Sequence, residues 1–191
     1  MNVWAISSKV SMTSSKDTNF DPKRAAHFRD RAGEFLEGSS TGRGLRVALA
    51  CSRFNGAITL RLLRAALDAL DEAGVDRRDI SIGWVPGAFE LPLLALAYAD
   101  AERPYDAVIT LGAVIRGDTG HYEVVAGECA RGIQDVQLST RVPVIFGVLT
   151  TNTVDQALAR SEPDETNKGR EAALSALDMV SVLRQGSLAS P

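Results

Sequence analysis

The chain has little cysteine, little histidine and, over most of its length, little lysine. Two cysteines, Cys51 and Cys129, cannot build a disulfide scaffold or a structural zinc site. Two histidines and no Cys-x-x-Cys leave no recognisable metal cluster, so no metal is expected. Excess positive charge is also missing. A net charge of −3 argues against nucleic-acid binding driven by phosphate contacts. No apolar run reaches the roughly 18 residues that span a bilayer, so no membrane partner is expected. What remains is ordinary: 191 residues, 45% apolar and 24% charged, the composition of a globular protein rather than a disordered, collagenous or coiled-coil one.

The totals hide a division. Residues 1–44 hold three of the four lysines, Lys9, Lys16 and Lys23. They are net +2 and residues 45–191 net −5. The segment is Ser/Thr-rich early and ends in Gly38-Ser-Ser-Thr-Gly-Arg-Gly44. Such sequence buries little, so residues 1–44 are read as a mobile extension and residues 45–191 as the folded domain. Ala25, Phe28, Ala32 and Phe35 recur at helical spacing and predict a short helix around 22–36. The first sixteen residues carry no acid, as in a transit peptide. With no apolar stretch for secretion, a cytoplasmic protein is expected. Organellar targeting and a docking arm are the lesser readings.

From Leu45 onward, apolar runs alternate with helical periodicity. Leu45–Cys51, Ile80–Val85, Ala107–Val114 and Val142–Leu149 read as strands. Ile58–Ala73, Leu91–Ala101, Glu123–Leu138, Val154–Arg160 and Lys168–Leu183 read as helices, with Gly74 a natural stop. Alternation without hairpin signals means parallel strands joined by right-handed crossovers. The expected class is α/β: a flavodoxin-like three-layer αβα sandwich with a four-stranded parallel sheet and helices on both faces.

Ligands of such sheets bind beyond the carboxyl ends of the strands, so the loops there carry the candidates. Phe54 follows the first strand, either as a lid or as a stacking platform. Pro86-Gly87-Ala88-Phe89-Glu90 follows the second. Its glycine lets backbone amides approach a ligand, and Glu90 is either a helix cap or a site residue. After the third strand, Ile115-Arg116-Gly117-Asp118-Thr119-Gly120-His121 presents two glycines and a hydroxyl before a helix, which suits a phosphate. His121 is either a surface cap or a proton-transfer group. Phe146 stands at or near the end of the fourth strand, either as a site residue or simply as core, and Thr151 or Asn152 caps the helix that follows. The three phenylalanines of the domain, Phe54, Phe89 and Phe146, all fall near expected strand ends. Lys168 is the domain's one lysine against thirteen arginines, at a helix start where a cation opposes the dipole.

Five strings in order, Arg53-Phe54-Asn55, Val85–Glu90, Gly112–Tyr122, Pro143–Asn152 and Asn167-Lys168-Gly169, resemble the lumazine synthase family. The likeness runs from about Leu45 to Leu183. It implies condensation of 5-amino-6-(D-ribitylamino)uracil with 3,4-dihydroxy-2-butanone 4-phosphate to 6,7-dimethyl-8-ribityllumazine, with release of phosphate and water. It implies no metal or redox cofactor. By the same resemblance, Phe54 stacks on the pyrimidine, and Ala88, Phe89 and Glu90 hold the ribityl chain. Val114 and Ile115 read the pyrimidine edge through their backbone. Asp118 and Thr119 fall at the phosphate, with Arg160 its cationic partner, and His121 is the proton-transfer residue. Phe146, Arg160 and Lys168 resemble residues that enter from a neighbouring subunit.

A shared site implies a homo-oligomer, a pentamer that in some members assembles into a sixty-subunit shell. The short link Ser161–Asn167 favours the shell, and riboflavin synthase is a further candidate partner. Asp118 and Gly120 depart from the family's small or polar residues in that loop. Two other readings stand beside the enzyme: a non-catalytic paralogue that binds lumazine or flavin or forms a shell, and a generic phosphate or nucleotide module. The second lacks a Gly-x-Gly-x-x-Gly.

Overall fold

A computed structural model describes residues 20–188. The Ser/Thr-rich stretch and any targeting signal before Phe20 lie outside the described residues. The chain divides into two units between Phe35 and Leu36.

In the first unit, α1 covers Pro22–Ala26 and a 3-10 turn covers Arg29–Arg31. Asp21 caps α1, its Oδ1 accepting the amides of Lys23 at 2.9 Å and Arg24 at 3.4 Å. The helix expected over 22–36 is thus only five residues long. Neither element buries a residue, and an amphipathic helix this short gains little without a face to pack against.

In the second unit the elements are β1 (Val47–Ser52), α2 (Gly56–Glu72), β2 (Ile80–Val85), α3 (Leu91–Ala99), β3 (Ala107–Ile115), α4 (His121–Thr140), β4 (Val144–Thr151), α5 (Val154–Ala159) and α6 (Lys168–Leu183). Each strand and helix lies within a few residues of its expected place. All three strand pairings are parallel, in the order β2-β1-β3-β4. Odd residues of β1 and β3 (Val47, Leu49, Ile109, Leu111) pack under α2, α5 and α6. Even ones (Ala48, Ala50, Val108) pack under α3 and α4. Two apolar layers on opposite faces of one sheet make the three-layer sandwich. Each fully buried leucine, such as Leu49, Leu62 or Leu177, contributes about 1.5–3 kcal/mol of burial.

Local chemistry sets the element ends. Gly74 stands past α2 at φ +85°, and the Val75 amide returns to the Leu70 carbonyl at 3.0 Å. The edge strand β2 leaves Ile82 and Trp84 partly exposed. Residues 36–44, read from composition as part of the mobile extension, lie in the second unit. Glu37 and Gln185 exchange hydrogen bonds at 3.4 and 2.8 Å, and the Gly42 amide reaches the Ala73 carbonyl at 2.9 Å.

The chain steps from β1 outward to β2, then crosses back to β3 on the other side of β1. That reversal opens a crevice beyond the carboxyl ends of β1 and β3, where a doubly wound sheet binds ligands.

Candidate active site

The loops after β1, β2 and β3 are joined by backbone and side-chain bonds. The amides of Arg53 and Phe54 reach the carbonyls of Val85 and Pro86 at 2.9 and 3.0 Å, extending the β1–β2 ladder past its end. Asn55 takes a left-handed conformation, φ 56°, and its Nδ2 donates to the Ala113 carbonyl at 2.9 Å. In the second loop Glu90 Oε2 accepts the Gly87 amide at 2.9 Å, so this carboxylate closes the turn that presents Ala88 and Phe89.

These loops surround an apolar cleft of about 700 Å³. Phe54, Ala88, Phe89, Glu90, Val114, Ile115, Thr119 and His121 all line it. Phe54 is 72% exposed and Phe89 53%. Rings this open are not held there by the core, and they leave a flat apolar wall free for a ligand. Ala88 and Val114 are buried. Asp118 is exposed and is not among the residues that line the cleft.

His121 is the first residue of α4, not a loop residue two positions before the helix. Its amide donates to Thr119 Oγ1 at 3.4 Å. The start of a twenty-residue helix therefore faces the cleft with Gly117, Thr119 and His121 beside it, a place where amides and dipole favour an anion. Beside it Arg116 pairs with Glu123. That hydrogen bond, helped by a backbone amide, holds the Glu123 carboxyl below the ordinary range.

Phe146, Arg160 and Lys168 lie elsewhere. They line a second cleft of about 280 Å³ with Thr150, Glu171 and Ser175. Lys168 opens α6 behind Asn167, a buried cap whose Oδ1 accepts the Gly169 amide at 2.8 Å and whose Nδ2 donates to the Glu162 carbonyl at 2.7 Å. The Lys168 ammonium pairs with Glu171. Arg160 Nη1 donates to the Gln156 carbonyl at 3.1 Å. Phe146 is the third residue of β4, opposite Thr110, and not near that strand's carboxyl end as expected. β4 begins two residues later than the apolar run Val142–Leu149 suggests, and as an edge strand it leaves the ring exposed.

The cap of α5 is Thr153, not Thr151 or Asn152: its Oγ1 accepts the Gln156 amide at 3.2 Å.

A family model described as 6,7-dimethyl-8-ribityllumazine synthase matches residues 44–184, well over half of the chain. The chain belongs to this family. Lumazine synthases are transferases of riboflavin biosynthesis that act on small molecules and assemble as oligomers. The match spans both clefts.

Sequence reasoning missed several residues that line the two clefts. Val124 and Val125 line the first cleft, and Glu171, Ala172 and Ser175 the second. Helical spacing would have found them: they stand three, four or seven residues beyond His121 and Lys168, on the same helix faces. Tyr122, the last residue of the Gly112–Tyr122 motif, also lines the first cleft. Among the described residues no group of three His, Cys, Asp or Glu could hold a metal. No described helix is long and apolar enough to cross a membrane.

Proposed function

We propose that this chain condenses 5-amino-6-(D-ribitylamino)uracil with 3,4-dihydroxy-2-butanone 4-phosphate to 6,7-dimethyl-8-ribityllumazine, releasing phosphate and water. One observation carries the reading. Eight candidate site residues, from segments at or beyond the ends of β1, β2 and β3, line a single apolar cleft at the reversal of strand order, while the motif cations Arg160 and Lys168 line another.

In this reading the pyrimidine stacks on Phe54 and meets the backbone of Val114 and Ile115. The ribityl chain lies along Ala88–Glu90. The phosphate sits at the start of α4, with Thr119. Such a cleft has a helix N-terminus for the anion, but no lysine or arginine is among the residues that line it. The missing charge comes from Arg160 and Lys168 of an adjacent subunit, with Phe146 closing over the pyrimidine. A cyclic assembly supplies that neighbour to every site. The pentamer and the shell differ in whether pentamers go on to associate. A solution mass of about 100 kDa identifies the first and one on the order of 1 MDa the second.

The reaction asks for positioning more than for strong acid or base. The ring amine of the pyrimidine adds to the ketone and loses water to form an imine. Phosphate leaves by elimination, the chain swings round, and the second amine closes the ring with loss of water. Holding two reactive partners together supplies much of the rate. His121 moves the protons, and Arg160 with the loop amides stabilises the departing phosphate.

The test is direct. Full-length protein with both substrates yields lumazine fluorescence above the spontaneous background. His121→Ala and Arg160→Ala each lose most of that rate, and refolding the two variants together restores part of it because mixed oligomers contain intact sites. No product above background makes the chain a non-catalytic member. Product without restoration on mixing confines the site to one subunit.

A further inference from the structure

Arg116 stands beside the first cleft, and the reading above gives it no part. Its guanidinium is held on three sides. Nη1 pairs with the Glu123 carboxylate. Nε donates to Asn152 Oδ1 at 3.0 Å. Cζ stands 4.2 Å from the centre of the Tyr122 ring. Its own amide also donates to the Thr151 carbonyl at 2.9 Å. One side chain thus joins the first turn of α4 to the end of β4. The network goes further: the Asn152 amide donates to Gln156 Oε1 at 2.9 Å, and the Gln156 carbonyl accepts from Arg160.

The segment it serves has little else to hold it. Residues 116–120 are exposed, and a Cβ added at Gly117 or Gly120 would meet nothing within 4 Å. Packing does not fix this loop. Tyr122, under the guanidinium, adjoins His121, and both line the cleft. An isolated surface ion pair is worth little. A planar fork that satisfies a carboxylate and an amide oxygen while stacked on a ring fixes direction as well as distance, which an ammonium does not.

We propose that Arg116 is a positioning residue: its fork between Glu123 and Asn152, closed over Tyr122, fixes the first turn of α4 and with it His121 and the amides of the phosphate loop, and it does not itself bind substrate. The proposal rests on His121 as the proton-transfer group.

The experiment uses full-length Arg116→Gln, Arg116→Lys and Glu123→Gln with both substrates, and amide hydrogen exchange over residues 117–123. Arg116→Gln lowers kcat about tenfold or more, as a sub-ångström to ångström misplacement does, with KM for the pyrimidine within about twofold. Arg116→Lys recovers part of the loss. Glu123→Gln, which leaves the arginine in place, also lowers kcat, and exchange at 117–123 quickens in both Gln variants. Should Arg116→Gln fail to fold, Glu123→Gln decides alone. A lower KM for the phosphate substrate in Glu123→Gln would make Arg116 a phosphate ligand released from its acid, and overturn the proposal. Native kinetics and exchange in Arg116→Gln would overturn it too. If the parent protein forms no lumazine, the functional reading fails, while the exchange arm still decides whether Arg116 holds the turn.

Discussion

Asn55 Nδ2 donates to the carbonyl oxygen of Ala113 at 2.9 Å, joining the loop after β1 to the end of β3 across the point where strand order reverses. The residue is also left-handed, φ 56°. Asn55→Ala loses the bond and strains the backbone. Left-handed backbone costs a non-glycine residue roughly 1–2 kcal/mol and a lost hydrogen bond about 1 kcal/mol. Asn tolerates that conformation better than Ala, so the expected loss is about 2 kcal/mol. Asn55→Gly removes only the bond and recovers about half. Urea unfolding of both variants checks the order, and equal losses would show that the conformation contributes nothing.

Phe54 lines the cleft at 72% exposure, so its truncation leaves stability within about 0.5 kcal/mol. Stacking of an aromatic on a base is worth about 1–3 kcal/mol. Phe54→Ala therefore raises KM for the pyrimidine by roughly 5- to 150-fold and leaves KM for the phosphate substrate near that of the parent. Steady-state kinetics with each substrate varied in turn gives the answer. An unchanged pyrimidine KM removes the stacking role.

Gly169 is where α6 crosses α2. A Cβ there would stand 2.0 Å from the Leu62 carbonyl oxygen and 2.6 Å from its carbon. Both atoms are backbone of a helix and cannot turn aside. Gly169→Ala is expected to cost about 3 kcal/mol through forced separation of the helices. Thermal unfolding measures it, and a loss below about 1 kcal/mol would mean that α6 shifts freely.

Lys168 pairs with Glu171 at the start of α6. An amine held in an ion pair is a poor nucleophile. Borohydride treatment with the phosphate substrate alone is expected to leave no adduct on Lys168 by peptide mass. A stable mass increase there would assign the lysine a covalent step.

Cys51 and Cys129 lie buried in the two apolar layers, and desolvation pushes each thiol from 9.0 up to about 12. The folded state thus holds these protons more tightly than the unfolded chain. Their contribution to stability is complete below 9.0 and is lost as pH rises from there through about 12. Denaturation midpoints at rising pH should fall over that window, less steeply in Cys51→Ala/Cys129→Ala. Both thiols should stay unreactive toward a thiol reagent near pH 8 until the protein unfolds.

The alternation of short apolar runs with helical periodicity was enough to place four strands and five helices in residues 45–191, because burial on both faces demands continuous apolar strands and one-sided helices. Leu91–Ala99 and Lys168–Leu183 begin where their local signals say. The motif order, read as resembling lumazine synthases, agrees with the family match over residues 44–184. Boundaries were less legible. Composition marked residues 36–44 as mobile, but hydrogen bonds between Glu37 and Gln185 come from partners 148 positions apart. Phe146 stands early in β4 and not near its end, because register is decided by pairing with Thr110 and not by its own neighbours.

By itself, then, the sequence determined the parallel α/β class, the loops that carry polar and aromatic residues, and the family. These follow from local patterning and from motifs that survive being read in one dimension. Tertiary structure alone decided which candidates share a cleft. Phe54, Phe89 and His121 meet because strand order reverses between β1 and β3, whereas Phe146, Arg160 and Lys168 line another cleft, at β4 and α6. It also decided that Arg116, though exposed, is engaged by Glu123, Asn152 and Tyr122. No one-dimensional pattern shows that, because a guanidinium's partners depend on where separate elements end in space.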